Sequence, residues 1–222
     1  NLATMKLIIS PLFFSFPYLA VSGPIQPHAT NPTISTTLGN IEGAVCPGFP
    51  DVAKYEGIPY AQFPIGSLRW KPPLPFATKY HHGTLKASAP GAQCPQVQSS
   101  LRSAFPQGED CLFLNVYIPV KKSKTLLPVR VWIHGGGFVQ GAGAECAGCP
   151  SVNSTDTIFV SLNYRLGALG FLAHPALFRR DHTTGNYGML DVQAALRWVE
   201  NNIKAFGGDP TKVLLHCESA GA

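Results

Sequence analysis

The sequence predicts an α/β fold: an open, mostly parallel sheet with helical cover. Three observations predict it. Val129-Arg130-Val131-Trp132-Ile133 and Ile158-Phe159-Val160-Ser161-Leu162 are nearly continuous apolar runs, as expected of strands covered on both faces. A segment from about Leu190 to Ala205 carries apolar residues at helical spacing. A strand-like run, Val213-Leu214-Leu215-His216-Cys217, then leads directly into Glu218-Ser219-Ala220-Gly221. Strands alternating with helix are the pattern of a sheet with helices packed on it.

Taken in order, the chain begins with a leader. Lys6 precedes the apolar stretch Leu7 to Phe16, and Ala20 and Ser22 are small residues at the two positions a signal peptidase reads. Residues 1–22 are therefore expected to be a secretory signal peptide cut after Ser22, with residues 23–222 forming the folded part. Pro11 and Pro17 interrupt the stretch, which is shorter than the ~20 residues a spanning helix needs, so no stable membrane span is expected. Thr33–Leu38 and Ile41–Val45, joined by Gly39-Asn40, read as a hairpin. Val52 to Ile58 is a third strand. The proline-rich stretch Pro59 to Pro75 is irregular, since proline cannot donate to a ladder. Leu112 to Ile118 is a strand. In the helix, Leu190, Ala194, Leu196, Trp198, Val199 and Ile203 share one apolar side, and Gly207-Gly208-Asp209-Pro210 stops it.

Composition narrows the class. The chain has 222 residues, enough for one large domain, and 45% apolar against 13% charged residues excludes an ordinary disordered chain. The net charge of +5 is scattered. Its densest run, Lys121-Lys122-Ser123-Lys124, reads as a solvated loop, so no nucleic-acid partner is expected. Six cysteines in a secreted chain suggest disulfides. Cys94 and Cys111 are the favoured pair because they bracket a polar loop; closing it would constrain the unfolded chain by roughly 3 kcal/mol. The pairing of Cys46, Cys146, Cys149 and Cys217 stays open. Cys146-Ala147-Gly148-Cys149 reads as a loop disulfide or as members of two bridges. No second such motif or histidine pair follows at zinc spacing, so no metal is expected. Asn153-Ser154-Thr155 is a glycosylation sequon, whereas Asn31-Pro32-Thr33 is blocked by its proline.

The chemistry sits at the end of the chain. A strand running into x-x-Ser-x-Gly is the setting of a nucleophile elbow, whose sharp turn pushes the serine hydroxyl out of the backbone and needs small neighbours. Gly221 fills one of the two expected glycine positions, and Cys217 occupies the other, where its Cβ is expected to cause some strain. Upstream, His134-Gly135-Gly136-Gly137 follows the Val129–Ile133 strand. Three glycines let backbone N–H groups approach a substrate and stabilise the oxyanion formed when serine attacks an ester carbonyl. Either motif alone is weak. Together, in this order and each after a strand, they point to acyl transfer.

The chain resembles the type-B carboxylesterases, the cholinesterase and fungal lipase group of the α/β hydrolases, from about Asn31 to Ala222. The resemblance rests on Glu109-Asp110-Cys111-Leu112-Phe113-Leu114-Asn115-Val116, on His134–Gly137 with Phe138, and on Asn163-Tyr164-Arg165-Leu166-Gly167. It extends through Gly185-Asn186-Tyr187-Gly188-Met189-Leu190-Asp191 and Ala205-Phe206-Gly207-Gly208-Asp209-Pro210. It implies the N-terminal portion of an α/β-hydrolase fold: an N-terminal hairpin and the start of the central sheet, ending at the elbow. It implies Ser219 as nucleophile, oxyanion donors at Gly136, Gly137 and Ala220, and a Cys94–Cys111 disulfide. It also implies structural ion pairs Arg69–Glu109 and Arg165–Asp191, and a small-molecule or lipid ester as substrate with no cofactor.

A serine nucleophile needs a base and an orienting carboxylate, which in this fold follow the serine in the chain. No histidine or acid follows Ser219. His134 belongs to the glycine motif, and His216, on the entering strand, is expected to point into the sheet packing. The chain is therefore expected to be the front portion of a roughly twice-longer secreted esterase, inactive by itself. The competing expectations are a catalytically inactive truncated product and a noncatalytic cholinesterase-like binding protein.

Overall fold

The computed structural model describes residues 31–97, 105–121 and 123–222. The leader expected at residues 1–22 lies outside the described residues, as does Lys122 of the lysine run.

Two sheets carry the fold. In the smaller, β1 (Thr33–Thr36) pairs antiparallel with β2 (Gly39–Glu42). The larger sheet begins with β3 (Ala44–Cys46) and β4 (Phe49–Pro59). The chain then returns to the smaller sheet through β5 (Thr84–Lys86), parallel to β2. β6 (Phe113–Pro119), β7 (Leu127–Ile133), β8 (Ile158–Leu162) and β9 (Gly208–Cys217) complete the larger sheet in the order β3-β4-β6-β8-β7-β9. β6 runs antiparallel to β4 and β8, whereas β8, β7 and β9 are parallel. Among the described residues four α-helices lie between these strands: α1 (Gly148–Asn153) between β7 and β8, and α2 (Gly167–Phe171), α3 (Pro175–Asp181) and α4 (Tyr187–Asn202) between β8 and β9.

The hairpin forms, but its turn is Thr37-Leu38, and Gly39-Asn40 already belong to β2. The Thr36 hydroxyl explains the shift: it donates to the Gly39 carbonyl (2.7 Å) and accepts from the Leu38 N–H (3.2 Å). The run Ile41–Val45 is also split between the two sheets. It breaks at Gly43, where a Cβ would stand 2.3 Å from the Lys54 carbonyl oxygen. α4 starts three residues before the expected Leu190, and a 3-10 turn (Ile203–Phe206) extends it to Gly207, whose φ of 86° ends it. Gly188 in the first turn hides the early start, since glycine carries no helical signal.

The core lies between the larger sheet and α4. All five residues of β8 are buried. Ile158, Val160 and Leu162 join Val129 and Val131 of β7 and Leu114 and Val116 of β6 against Ala195, Trp198, Val199, Ile203 and Phe206. Each large side chain so buried contributes about 1.5–3 kcal/mol. On the opposite face α1 covers Cys46, Val52, Tyr117 and Phe159 through Val152. Coverage on both faces thus holds for β8. In β7 it does not: Arg130 and Trp132 are half-buried and alternate with buried Val129, Val131 and Ile133. Among the described residues β9 pairs only with β7, and Val213, Leu214 and Leu215 are 37%, 61% and 48% exposed. His216 is exposed too, which corrects the expectation that it points into packing.

Two disulfides tie the fold. Cys94 joins Cys111, and Cys46 joins Cys149 across 103 residues, fastening β3 to α1. Cys149 therefore does not pair with Cys146, which carries a free thiol, as does Cys217.

Candidate active site

The end of β9 is held against the end of β7. Ile133 pairs with Cys217, and the Glu218 N–H donates to the Ile133 carbonyl (3.3 Å). The chain then bends at Ser219, where φ is 50°. This left-handed conformation costs a non-glycine residue about 1–2 kcal/mol. A 3-10 turn over Ser219–Gly221 follows, closed by Gly221 N–H to the Glu218 carbonyl (2.8 Å) and Ala222 N–H to that of Ser219 (3.0 Å). Cys217 takes no positive φ and packs half-buried against the core. The left-handed conformation falls on Ser219.

Glycine is required on both sides of this bend. A Cβ on Gly135 would stand 2.7 Å from the Glu218 carbonyl oxygen and 3.0 Å from Ser219 Cβ. A Cβ on Gly221 would stand 2.4 Å from the Ile133 carbonyl oxygen. The glycine run and the serine turn therefore touch backbone to backbone. Gly136 and Gly137 have φ of 101° and 62°, and the Gly136 carbonyl accepts from Val139 and Gln140 N–H (3.1 and 3.2 Å). Among the described residues, the N–H groups of Gly136, Gly137 and Ala220 donate to no other protein group.

The loop is fixed from beneath. His134 is buried, its Nδ1–H donates to the Gly135 carbonyl (2.8 Å), and its ring stacks on Tyr164 with centroids 4.3 Å apart. The Tyr164 hydroxyl donates to the His134 carbonyl (2.8 Å). Gln96 clamps the far end, its amide accepting from Gly141 N–H (2.8 Å) and donating to the Gly141 carbonyl (3.0 Å). The Gly167 N–H donates to the Phe138 carbonyl (2.7 Å). Sequence reasoning did not single out Gln96 or the Tyr164 stack. A lone glutamine in a polar loop carries no signal, whereas Tyr164 lay inside the quoted Asn163–Gly167 segment.

Ion pairs anchor these segments. Arg165 grips Asp191 of α4 through Nε (2.8 Å), through a terminal nitrogen (2.7 Å) and through its backbone N–H (3.0 Å). Burial pushes the Asp191 carboxyl up, and Arg165 offsets part of that shift. Arg69 grips Glu109 with both prongs of its guanidinium. Beside it, burial raises the Asp110 carboxyl above its usual range. Asn163 bridges Gly143, Ala92 and Cys111 (2.8, 3.0 and 3.1 Å).

Apart from His134 and His216, the histidines lie elsewhere. His81 and His82 form a surface turn, His174 caps α3 by accepting from Ala176 N–H (3.2 Å), His182 ends α3, and His28 is outside the described residues. Among the described residues no hydrogen bond joins the Ser219 side chain to a histidine, and no His/Cys/Asp/Glu group is arranged to hold a metal.

A mixed sheet whose parallel edge strand ends in a strained serine turn, abutting a glycine run, with the N–H groups of Gly136, Gly137 and Ala220 unused among the described residues, defines the front of an α/β-hydrolase fold. The chain belongs to the carboxylesterase family, whose model matches residues 30–222. It is 43% identical over 198 residues to the para-nitrobenzyl esterase of Bacillus subtilis (strain 168), covering 86% of this chain and 39% of that relative. It is 38% identical over 221 residues to the fumonisin B1 esterase of Sphingopyxis macrogoltabida, covering 96% and 40%. Against solved structures it aligns with a PNB esterase at a TM-score of 0.76 and 43% identity, covering 86% of this chain and 39% of that one. With Aspergillus niger EstA the TM-score is 0.75 at 34% identity, covering 86% and 36%. The chain thus spans about 40% of the length of the curated relatives it matches.

Proposed function

We propose that the protein hydrolyses carboxylic esters through an acyl-serine intermediate on Ser219. The observation that carries this reading is the Ser219 bend packed against Gly135, with the N–H groups of Gly136, Gly137 and Ala220 unused. In the proposed reaction the Ser219 hydroxyl gives its proton to a base as Oγ attacks the ester carbonyl. The resulting oxyanion is held by those three N–H groups. The carbonyl then re-forms, the carbon–oxygen bond to the alcohol breaks, and the alcohol leaves with the proton. Water repeats the sequence to release the acid. No cofactor enters.

The base and its orienting carboxylate are proposed to come from polypeptide outside these 222 residues. His134 is engaged with Gly135 and Tyr164, and the matched relatives are more than twice as long. These 222 residues by themselves are then inactive. The proposed site of action is extracellular. The two disulfides favour an oxidising compartment. The chain is also 36% identical to secreted lipase 1 of Botryotinia fuckeliana (strain B05.10) over 253 residues, covering 98% of this chain and 43% of that relative. Asn153, exposed at the end of α1, is the proposed glycosylation site.

The test is fluorophosphonate labelling of the natural protein isolated from its source, with peptide mapping. Labelling at Ser219, and loss of roughly 10⁶-fold in ester hydrolysis in Ser219→Ala, are expected. An unlabelled Ser219, or undiminished hydrolysis in that variant, overturns the reading.

A further inference from the structure

A cavity lies at the other end of the parallel strands. β7 and β9 begin together, with Leu127 opposite Gly208 and the Leu127 N–H donating to the Gly207 carbonyl (2.9 Å). The serine turn lies beyond their far ends, where Ile133 pairs with Cys217. At about 3.3 Å per residue the six steps from Leu127 to Ile133 span roughly 20 Å. Beside Leu127 a pocket of about 770 Å³ opens between the start of β1, the middle of β4, the end of β6 and the turn after α4. That volume falls within the usual range for small-molecule sites.

Its lining is divided by chemistry. The floor is apolar: Ala53, Tyr55 and Phe206 are buried, and Ile34, Ile118 and Leu127 are half-buried against the same core. Lys121, Lys124 and Lys204 line it from two separate segments, with the hydroxyls of Thr33, Ser35, Ser123 and Thr125 among them. Among the described residues no lining residue is acidic. None of the three lysines forms an ion pair among the described residues. Tyr55 lines the cavity, and its hydroxyl makes no hydrogen bond among the described residues. Burial raises that hydroxyl to about 12, so it stays protonated and free to donate. A protonated hydroxyl that lines a cavity without a protein partner is available to donate to a bound acceptor.

We propose that this pocket binds a monomeric anionic amphiphile, a medium-chain carboxylate or sulfate whose tail lies on the Ala53–Tyr55–Phe206 floor and whose head meets the lysines. Two segments supply the positive charge, no carboxylate neutralises it, and the floor is too apolar for a hydrophilic anion. The site is separate from Ser219, so it is independent of the hydrolysis reading.

The test is dodecanoate binding by calorimetry, below its micelle concentration and without vesicles, on the natural protein carrying Ser219→Ala. Saturable one-to-one binding is expected, with dodecanol and acetate each at least tenfold weaker. The triple charge reversal K121E/K124E/K204E alters only exposed side chains, and it is expected to weaken dodecanoate about tenfold. Tyr55→Phe is expected to weaken it several-fold while leaving dodecanol unchanged. Equal binding of dodecanol and dodecanoate, no effect of the triple variant, or association only with anionic vesicles overturns the proposal.

Discussion

Two residues, Gly135 beside the serine turn and Asp110 in the loop before β6, show how much rests on single atoms. Gly135 leaves no room for a Cβ against Glu218 and Ser219. Gly135→Ala is expected to displace the bend and lower ester hydrolysis by about 10²–10³, the usual cost of misplacing an oxyanion donor. Fluorophosphonate labelling should slow in parallel while the far-ultraviolet circular dichroism stays unchanged; full-rate labelling would show that the contact is tolerated. Asp110 makes a different prediction. Its Oδ1 is buried without a hydrogen-bond partner, and burial raises its carboxyl above 3.8. The folded state therefore holds that proton more tightly than the unfolded state does. As pH rises through the interval above 3.8, the unfolded state releases its proton first and stability falls. Asp110→Asn removes this titration. Its melting temperature should climb relative to the parent as pH rises above 3.8 and level off once the folded-state carboxyl has ionised. A constant gap across that range, measured by scanning calorimetry, would assign Asp110 an unshifted carboxyl.

At the scale of elements, legibility followed periodicity. β8 was readable because all five of its residues are buried, so its apolar run is unbroken. β9 was readable in its second half, Val213 to Cys217, but its true start at Gly208 was masked by Gly-Asp-Pro, which reads as a stop. The first hairpin was placed correctly and its turn misplaced, because a threonine hydroxyl, not the glycine, organises it. His216 was misjudged for a tertiary reason: a strand's alternation says which residues share a face, not whether anything covers that face. Of the candidate site, the serine and the glycines stood out by type and spacing. Their supports did not, because the Tyr164–His134 stack and the Gln96 clamp join residues 30 and 45 positions apart.

For the molecule as a whole, the two disulfides offer a ranking. Cys46–Cys149 spans 103 residues and Cys94–Cys111 spans 17. If constraint of the unfolded chain dominates, losing the longer closure should cost about 4–5 kcal/mol and losing the shorter about 3 kcal/mol. Paired Cys→Ser variants unfolded in urea would measure this, and a reversed ranking would mean that native contacts around Cys94 outweigh chain entropy. Both ties fasten the sheet that carries Ser219, and this bears on its φ of 50°. The serine does not favour that posture; its neighbours impose it. Selection for a hardier fold and selection for a ready hydroxyl thus pull against each other at this one residue, and robustness has to be gained from the surrounding scaffold.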